Sequence, residues 1–197
     1  MQKIYLKSAA GWSRPSPSES HPKMHKLQRI TSEFIETEDR IKFTAKCENE
    51  QTLVLWVTQR LISRLIAHSL NWLEKETSEL DRAVILDPES RSNLQGIVQQ
   101  SARQTLNQQT AVVPEHDSQS FLVQEIDINI NNEGVLLLFK GSEKKQAELA
   151  FNIEQLRQWL AIIRSLWSKA EWPMSLWPSW MDESQLTSTG ESNSPVH

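Results

Sequence analysis

The chain has 197 residues, a net charge of −4 and one cysteine, Cys47. A single cysteine excludes an internal disulfide framework and a cysteine-based zinc ribbon. No apolar run approaches the roughly 18 residues that a membrane-spanning helix needs, so no integral membrane contact is expected. Met1–Trp12 has no continuous apolar stretch of the signal-peptide kind, and a cytoplasmic location is the expectation.

In chain order, residues 1–27 read as a flexible basic N-terminal arm. Ser13–His25 (SRPSPSESHPKMH) is crowded with Ser and Pro and has no apolar period to bury. Residues 1–29 hold Lys3, Lys7, Arg14, Lys23, Lys26 and Arg29 against Glu19, a net of +5, which leaves −9 for the remainder of the −4 chain. A basic arm on an acidic body is one way to reach phosphates.

Residues 28–181 read as a single domain. Its first unit, 28–76, begins with loose alternation over Ile30–Glu36 and a turn at Glu38-Asp39-Arg40. Ile41, Phe43 and Ala45 then fall on one face of a strand. After a polar turn, Leu53–Val57 is an apolar run suited to a buried central strand. Thr58–Lys75 predicts an amphipathic helix. Leu61, Ile62, Leu65, Ile66, Leu70, Trp72 and Leu73 occupy one side, and Arg60, Arg64, Asn71 and Lys75 the other.

The connector, 77–120, holds one more helix. Asp87-Pro88 is a good start, since proline at the first helical position loses no needed hydrogen bond. Leu94, Ile97, Val98, Ala102 and Leu106 form a narrow apolar stripe on this Gln-rich segment, which reads as a loosely attached helix.

The second unit, 121–170, repeats the plan. Phe121–Ile130 reads as a strand with Leu122, Ile126, Ile128 and Ile130 on one face. Asn131–Gly134 makes a turn, Val135–Phe139 is an apolar strand, and Ala147, Leu149 and Phe151 alternate into a third. Asn152 with Gln155 three residues on forms a capping box for a helix over Ile153–Ala170. Leu156, Trp159, Leu160, Ile163, Leu166 and Trp167 lie on its apolar side, and Arg157, Gln158 and Arg164 on its polar side. The fold class is α+β: two β-β-β-α units, each an antiparallel meander followed by an amphipathic helix, packed as one domain with a helical connector. Pairing of the units around a pseudo-twofold axis is the natural arrangement. The repeat is one of pattern only, because sequence identity between the units is near chance.

Candidates for chemistry are sparse. His21 and His25 have a metal-sharing spacing, but the Ser-Pro context opposes a helix and two ligands close no site. His68 borders the apolar side of a helix with no catalytic partner in sequence, and Cys47 ends a strand without a triad pattern. Glu36, Glu38 and Asp39, and Glu74, Glu76, Glu79 and Asp81, read as solvated turn acids rather than calcium loops. The common nucleotide-binding and hydrolase fingerprints are absent. No catalytic residue, metal or cofactor is expected.

Tryptophan stands out, with eight residues against one tyrosine. Trp56, Trp72, Trp159 and Trp167 fit core positions. The segment 171–181, EWPMSLWPSWM, has two Trp-Pro steps that bar a regular helix. Trp172, Leu176, Trp177 and Trp180 either fold back on the domain or dock a partner, since tryptophan is enriched at binding hot spots. The remaining residues, 182–197, read as a disordered polar tail. The leading functional expectation is a non-enzymatic interaction module, an adaptor or assembly subunit, binding a protein partner or a second copy through Trp172, Leu176, Trp177 and Trp180. The alternative is a nucleic-acid-associated protein using Arg14, Lys23, Lys26 and Arg29 of the arm with Arg60 and Arg64 of the first helix.

Overall fold

The computed structural model describes residues 24–80, 87–107, 109–131 and 134–182, the side chains of 77–80 excepted. In chain order it has β1 (Met24–Ile35), a 3₁₀ turn (Glu36–Glu38), β2 (Arg40–Cys47), β3 (Thr52–Thr58) and α1 (Gln59–Leu80). There follow α2 (Pro88–Gln104), β4 (Gln119–Leu122), β5 (Glu125–Asn131), β6 (Gly134–Lys140), β7 (Gln146–Phe151) and α3 (Ile153–Lys169). Two 3₁₀ turns (Met174–Leu176 and Ser179–Met181) complete it.

All seven strands form one mixed sheet in the order β4-β3-β2-β1-β7-β6-β5. The neighbours β1–β2, β2–β3, β5–β6 and β6–β7 are antiparallel, whereas β1–β7 and β3–β4 are parallel. The first strand of the first unit, β1, lies parallel beside the last strand of the second, β7, and β4, where the second unit enters, lies parallel beside β3. The fold is α+β, a mixed seven-stranded sheet with three helices.

The sheet is curled. β4 and β5 stand at opposite ends of the strand order, yet only Val123 and Gln124 separate them in the chain. The Val123 N–H donates to the Trp56 carbonyl of β3, and the next amide, Gln124, donates to the Lys140 carbonyl of β6. The two ends of the sheet are thereby drawn together. A Cβ at Gly141, just past β6, would fall 2.4 Å from the Phe121 ring of β4, so this junction needs glycine.

The crossing also shifts the side-chain phase by one. Phe121 and Val123 are buried, and the inward set then continues at Ile126 and Ile128, while Leu122 is exposed. A single strand over Phe121–Ile130 would have kept Leu122 inside. The extra residue at the crossing flips it outward.

Inside the curl, Ile41, Phe43 and Ala45 of β2 face Val57, Leu55 and Leu53 of β3 in register, and all six are essentially inaccessible to solvent. Both predicted helix faces close on them. Ile62, Leu65, Ile66, Leu70 and Leu73 of α1 are buried, as are Leu156, Trp159, Leu160, Ile163 and Trp167 of α3. Asn152 caps α3 with the reciprocal Gln155 bond expected from the sequence.

Three sequence expectations are corrected. Residues 24–27 belong to β1, with His25 buried, rather than to an arm, because they pair with Gln146–Leu149 of β7. Asp182 is tied to Arg164, so it belongs to the domain and not to the tail. The connector helix, α2, turns its glutamines inward. Gln95, Gly96, Gln99 and Ala102 are buried, whereas Ile97, Val98 and Leu106 are exposed.

The reason for the last is Arg157. Placed on the polar side of α3 by periodicity, it is buried, and burial pulls its pKa down to about 10. A buried guanidinium needs acceptors. Its Nη2 donates to Gln95 Oε1 (2.6 Å) and its Nη1 to Gln99 Oε1 (3.5 Å), and the Trp180 ring lies 5.7 Å from its centre. The two amides in turn donate to the Leu73 and Arg157 carbonyls, stitching α2 to α1 and α3. Residues 1–23 and 183–197, which include the rest of the arm and of the tail, lie outside the described residues.

Candidate functional site: a cleft between two parallel strands

β1 has 12 residues, but only Met24–Leu27 pair with β7. At that point the β1–β2 register slips: Leu27 stands opposite Cys47 and Arg29 opposite Lys46, which leaves Gln28 as an extra residue. Such a bulge bends its strand and re-aims the residues beyond it. β7, for its part, ends two residues later at Phe151 and turns directly into α3 through Asn152. The strands separate, and a cleft of about 770 Å³ opens between them.

The lining shows what kind of cleft it is. Consecutive residues of both strands reach it, Gln28–Ser32 from β1 and Leu149–Phe151 from β7. Neighbouring side chains on a strand point to opposite faces, so an unbroken run marks an exposed strand edge rather than a sheet face. Gln155, Gln158, Trp159 and Ile162 of α3 form the floor, and residues 105–107 and 109–111 form a wall. That wall is fastened at both sides. Gln158 donates to the Ala102 carbonyl (3.0 Å), and the Thr31 hydroxyl accepts from the Val112 N–H (2.8 Å).

The open edge carries unpaired backbone. In an antiparallel pair, alternate residues turn their N–H and C=O away from the partner. The Cys47 amide donates to Gln51 on the β3 side, so Lys46, Thr44 and Lys42 face β1, and their partners Arg29, Thr31 and Glu33 face β2. Ile30, Ser32 and Phe34 therefore direct their backbone groups toward the β7 side. Among the described residues, no strand meets them there. Trp159, 3% exposed, adds an indole N–H without a hydrogen-bond partner. Buried polar groups left this way are uncommon in folded proteins, and an open strand edge invites pairing with another chain.

Apart from this backbone, the cleft is lined by amides, hydroxyls and hydrocarbon and is nearly neutral. Ile162 and Leu106 are exposed, Phe151 stacks on Trp159 at 5.4 Å, and Arg29 is the only charged side chain among the lining residues.

The residues singled out from sequence fare differently. Trp172, Trp177 and Trp180 are 7–8% exposed and Leu176 is half-buried, so the Trp-Pro segment folds back on its own domain. Each of its two 3₁₀ turns starts behind one of the prolines, Pro173 and Pro178. Trp172 donates to Asp39 Oδ1 (2.9 Å), Trp180 to Glu74 Oε1 (3.0 Å), and Trp167 to the Pro173 carbonyl (3.0 Å). Trp167 packs edge-on against both Trp172 (4.8 Å) and Trp177 (5.9 Å). The rings are thus not presented as a free surface, and two acids read as solvated, Asp39 and Glu74, are their anchors.

Of the basic set, Arg14 and Lys23 lie outside the described residues, Lys26 pairs with Glu148 at 3.8 Å, and Arg29 is at the cleft. Arg60 and Arg64 are exposed one turn apart on α1. The four described members lie on two separate elements, β1 and α1. His68 is exposed, and Cys47 is buried at the end of β2. No group of three potential metal ligands occurs among the described residues, and no described helix is long and apolar enough to cross a membrane.

Sequence reasoning missed the cleft. Its one legible signal was the length of the polar-apolar stretch before Glu36, which outruns the strand it has to pair with. No protein-family model, curated protein or solved structure matches the chain.

Proposed function

We propose that the protein is a non-enzymatic interaction module, an adaptor or assembly subunit, whose recognition surface is the β1–β7 cleft and not the Trp-Pro segment. The observation that carries this reading is the strand edge of β1 that, among the described residues, no strand pairs from Gln28 onward, beside a floor where Trp159 and Ile162 lie between glutamines. A preformed concave site that combines hydrocarbon with placed polar groups is the usual form of a recognition pocket. Among the described lining residues, the hydroxyls of Thr31, Ser32, Thr105 and Thr110 have no histidine, carboxylate or lysine in the lining to activate them. A photo-crosslinking side chain in place of Ile162, in the native cell, tests the reading. Discrete protein adducts that disappear when Phe151→Asp is added support it. Adducts unaffected by that change, or arising equally from a probe in place of exposed Ala67, count against it.

A second reading is supported by Arg60 and Arg64, two exposed arginines one turn apart that make no ion pair among the described residues. They give α1 a short basic face for a polyanion. Phosphate contacts would give binding to a short single-stranded oligonucleotide a steep negative salt dependence. Arg60→Gln with Arg64→Gln should flatten that slope.

A further inference from the structure

We propose that the cleft takes an extended segment of a partner protein as an added β-strand, paired through its backbone to the open edge of β1 and carrying an acidic side chain beside Arg29. This rests on the reading of the cleft as the recognition surface and names what fills it. Three observations converge on that occupant. The first is the register: within the cleft Ile30 and Ser32 turn donors and acceptors toward the β7 side, where no strand meets them among the described residues. An extended peptide matches that repeat of two, whereas a helix has already used its backbone groups.

The second is the geometry of the gap. Gln28–Ser32 span about 16 Å at strand spacing, enough for roughly five residues of extended chain. The segment enters where the Gln28 bulge parts β1 from β7, continuing a sheet that the protein itself left unfinished. Alternate side chains of the guest then point down to Ile162 and Phe151 or out to solvent.

The third is charge. Arg29 is the single charged residue of the lining and has no ion pair among the described residues. The rest of the lining is amide, hydroxyl or hydrocarbon, so nothing there opposes a carboxylate. A basic guest would instead meet Arg29 without compensation.

Panning a displayed random dodecapeptide library against the full chain, with Ile162→Asp and Arg29→Glu chains in parallel, tests this. The expected winners alternate apolar and polar residues and contain an acid. They should bind at least tenfold more weakly to either variant, the effect of one lost charged or buried contact. A synthetic winner methylated on the amides that face β1 should lose at least tenfold, and the same peptide methylated one residue out of phase should not. Thermal melting shows that each variant is folded. Winners that tolerate methylation in both phases, or that lack acids, overturn strand addition while leaving the cleft reading intact provided Ile162→Asp still weakens them. Winners indifferent to Ile162→Asp overturn the cleft reading itself, and an absence of winners overturns both. Displacement of a winner by a short single-stranded oligonucleotide, abolished in Arg29→Glu, would likewise overturn the peptide assignment in favour of a nucleic-acid strand.

Discussion

The Trp-Pro segment and the β1–β7 cleft invite opposite readings in sequence and structure. The segment is dense in aromatic rings, the composition of a binding hot spot, yet two of its three indoles donate to Asp39 and Glu74, and all three rings are buried. The cleft is written in glutamines, threonines and a few aliphatic residues, yet there the backbone is left unpaired. An aromatic side chain says that area must be buried somewhere, and the chain itself is the nearest place to bury it. A strand edge that no described strand closes is a different condition. It is managed explicitly in most proteins because it invites pairing with another chain.

The sharpest way to break the contrast is on the closed side. Trp177→Ser with Trp180→Ser should unfold or severely weaken the protein, by about 3 to 5 kcal/mol for a single buried aromatic ring. Chemical denaturation reads the loss. If stability barely moves, the segment is a surface after all and the cleft loses its privilege.

Next come the core leucines beneath both regions. Leu65→Ala and Leu160→Ala, at 2% and 0% exposure, should each cost about 2 to 5 kcal/mol. Midpoints unchanged from wild type would contradict the helix-in-sheet core that holds the two regions in place.

A smaller effect is expected where β7 turns into α3. Asn152→Ala removes a cap that accepts from the Gln155 N–H at 2.8 Å and should cost about 1 kcal/mol. Because this turn ends the strand at the cleft, the same change should also weaken cleft binding, and calorimetry on one variant reads both.

The smallest effect sits on the β5–β6 pair. Lys140 lies 2.6 Å from Asp127 and holds its carboxyl below the usual carboxylate range, while its own pKa is raised by Asp127 and Glu125. An exposed pair of this kind contributes under about 1 kcal/mol. A depressed acid pKa contributes stability above its unfolded value and loses it as pH falls through the folded value. The gap between wild type and Asp127→Asn should therefore be full near neutrality and close on acidification below about pH 3.8. A gap that widens in acid would reverse the assignment.

Most elements were legible because their signals are local. The period of two at Ile41, Phe43 and Ala45, the apolar run Leu53–Val57, the Asp87-Pro88 start and the Asn152 box all appear where expected. What was not legible depends on partners distant in sequence. Nothing near Phe121 announces that the chain passes from β3 to β6 within two residues. Likewise, Arg157 shares its spacing with half-buried Gln158 and Arg164, and only α2, some sixty residues earlier, supplies the acceptors that let it be buried fully. The parallel contact of β1 with β7 joins residues more than a hundred apart, and its abrupt end at Leu27 is a consequence of a bulge that no side chain advertises. The burial of the Trp-Pro rings was not legible for the same reason, since whether Trp172 is exposed depends on Asp39 being there to receive it.

The most direct test of the central claim is amide hydrogen exchange in the free full-length chain, read residue by residue along β1. The account predicts slow exchange at Thr31 and Glu33, which face β2, and fast exchange at Ile30 and Ser32, which face the cleft, with the fast pair becoming protected when a cleft-binding peptide is added. Equal protection of all four in the free protein would contradict it, because the edge would already be paired.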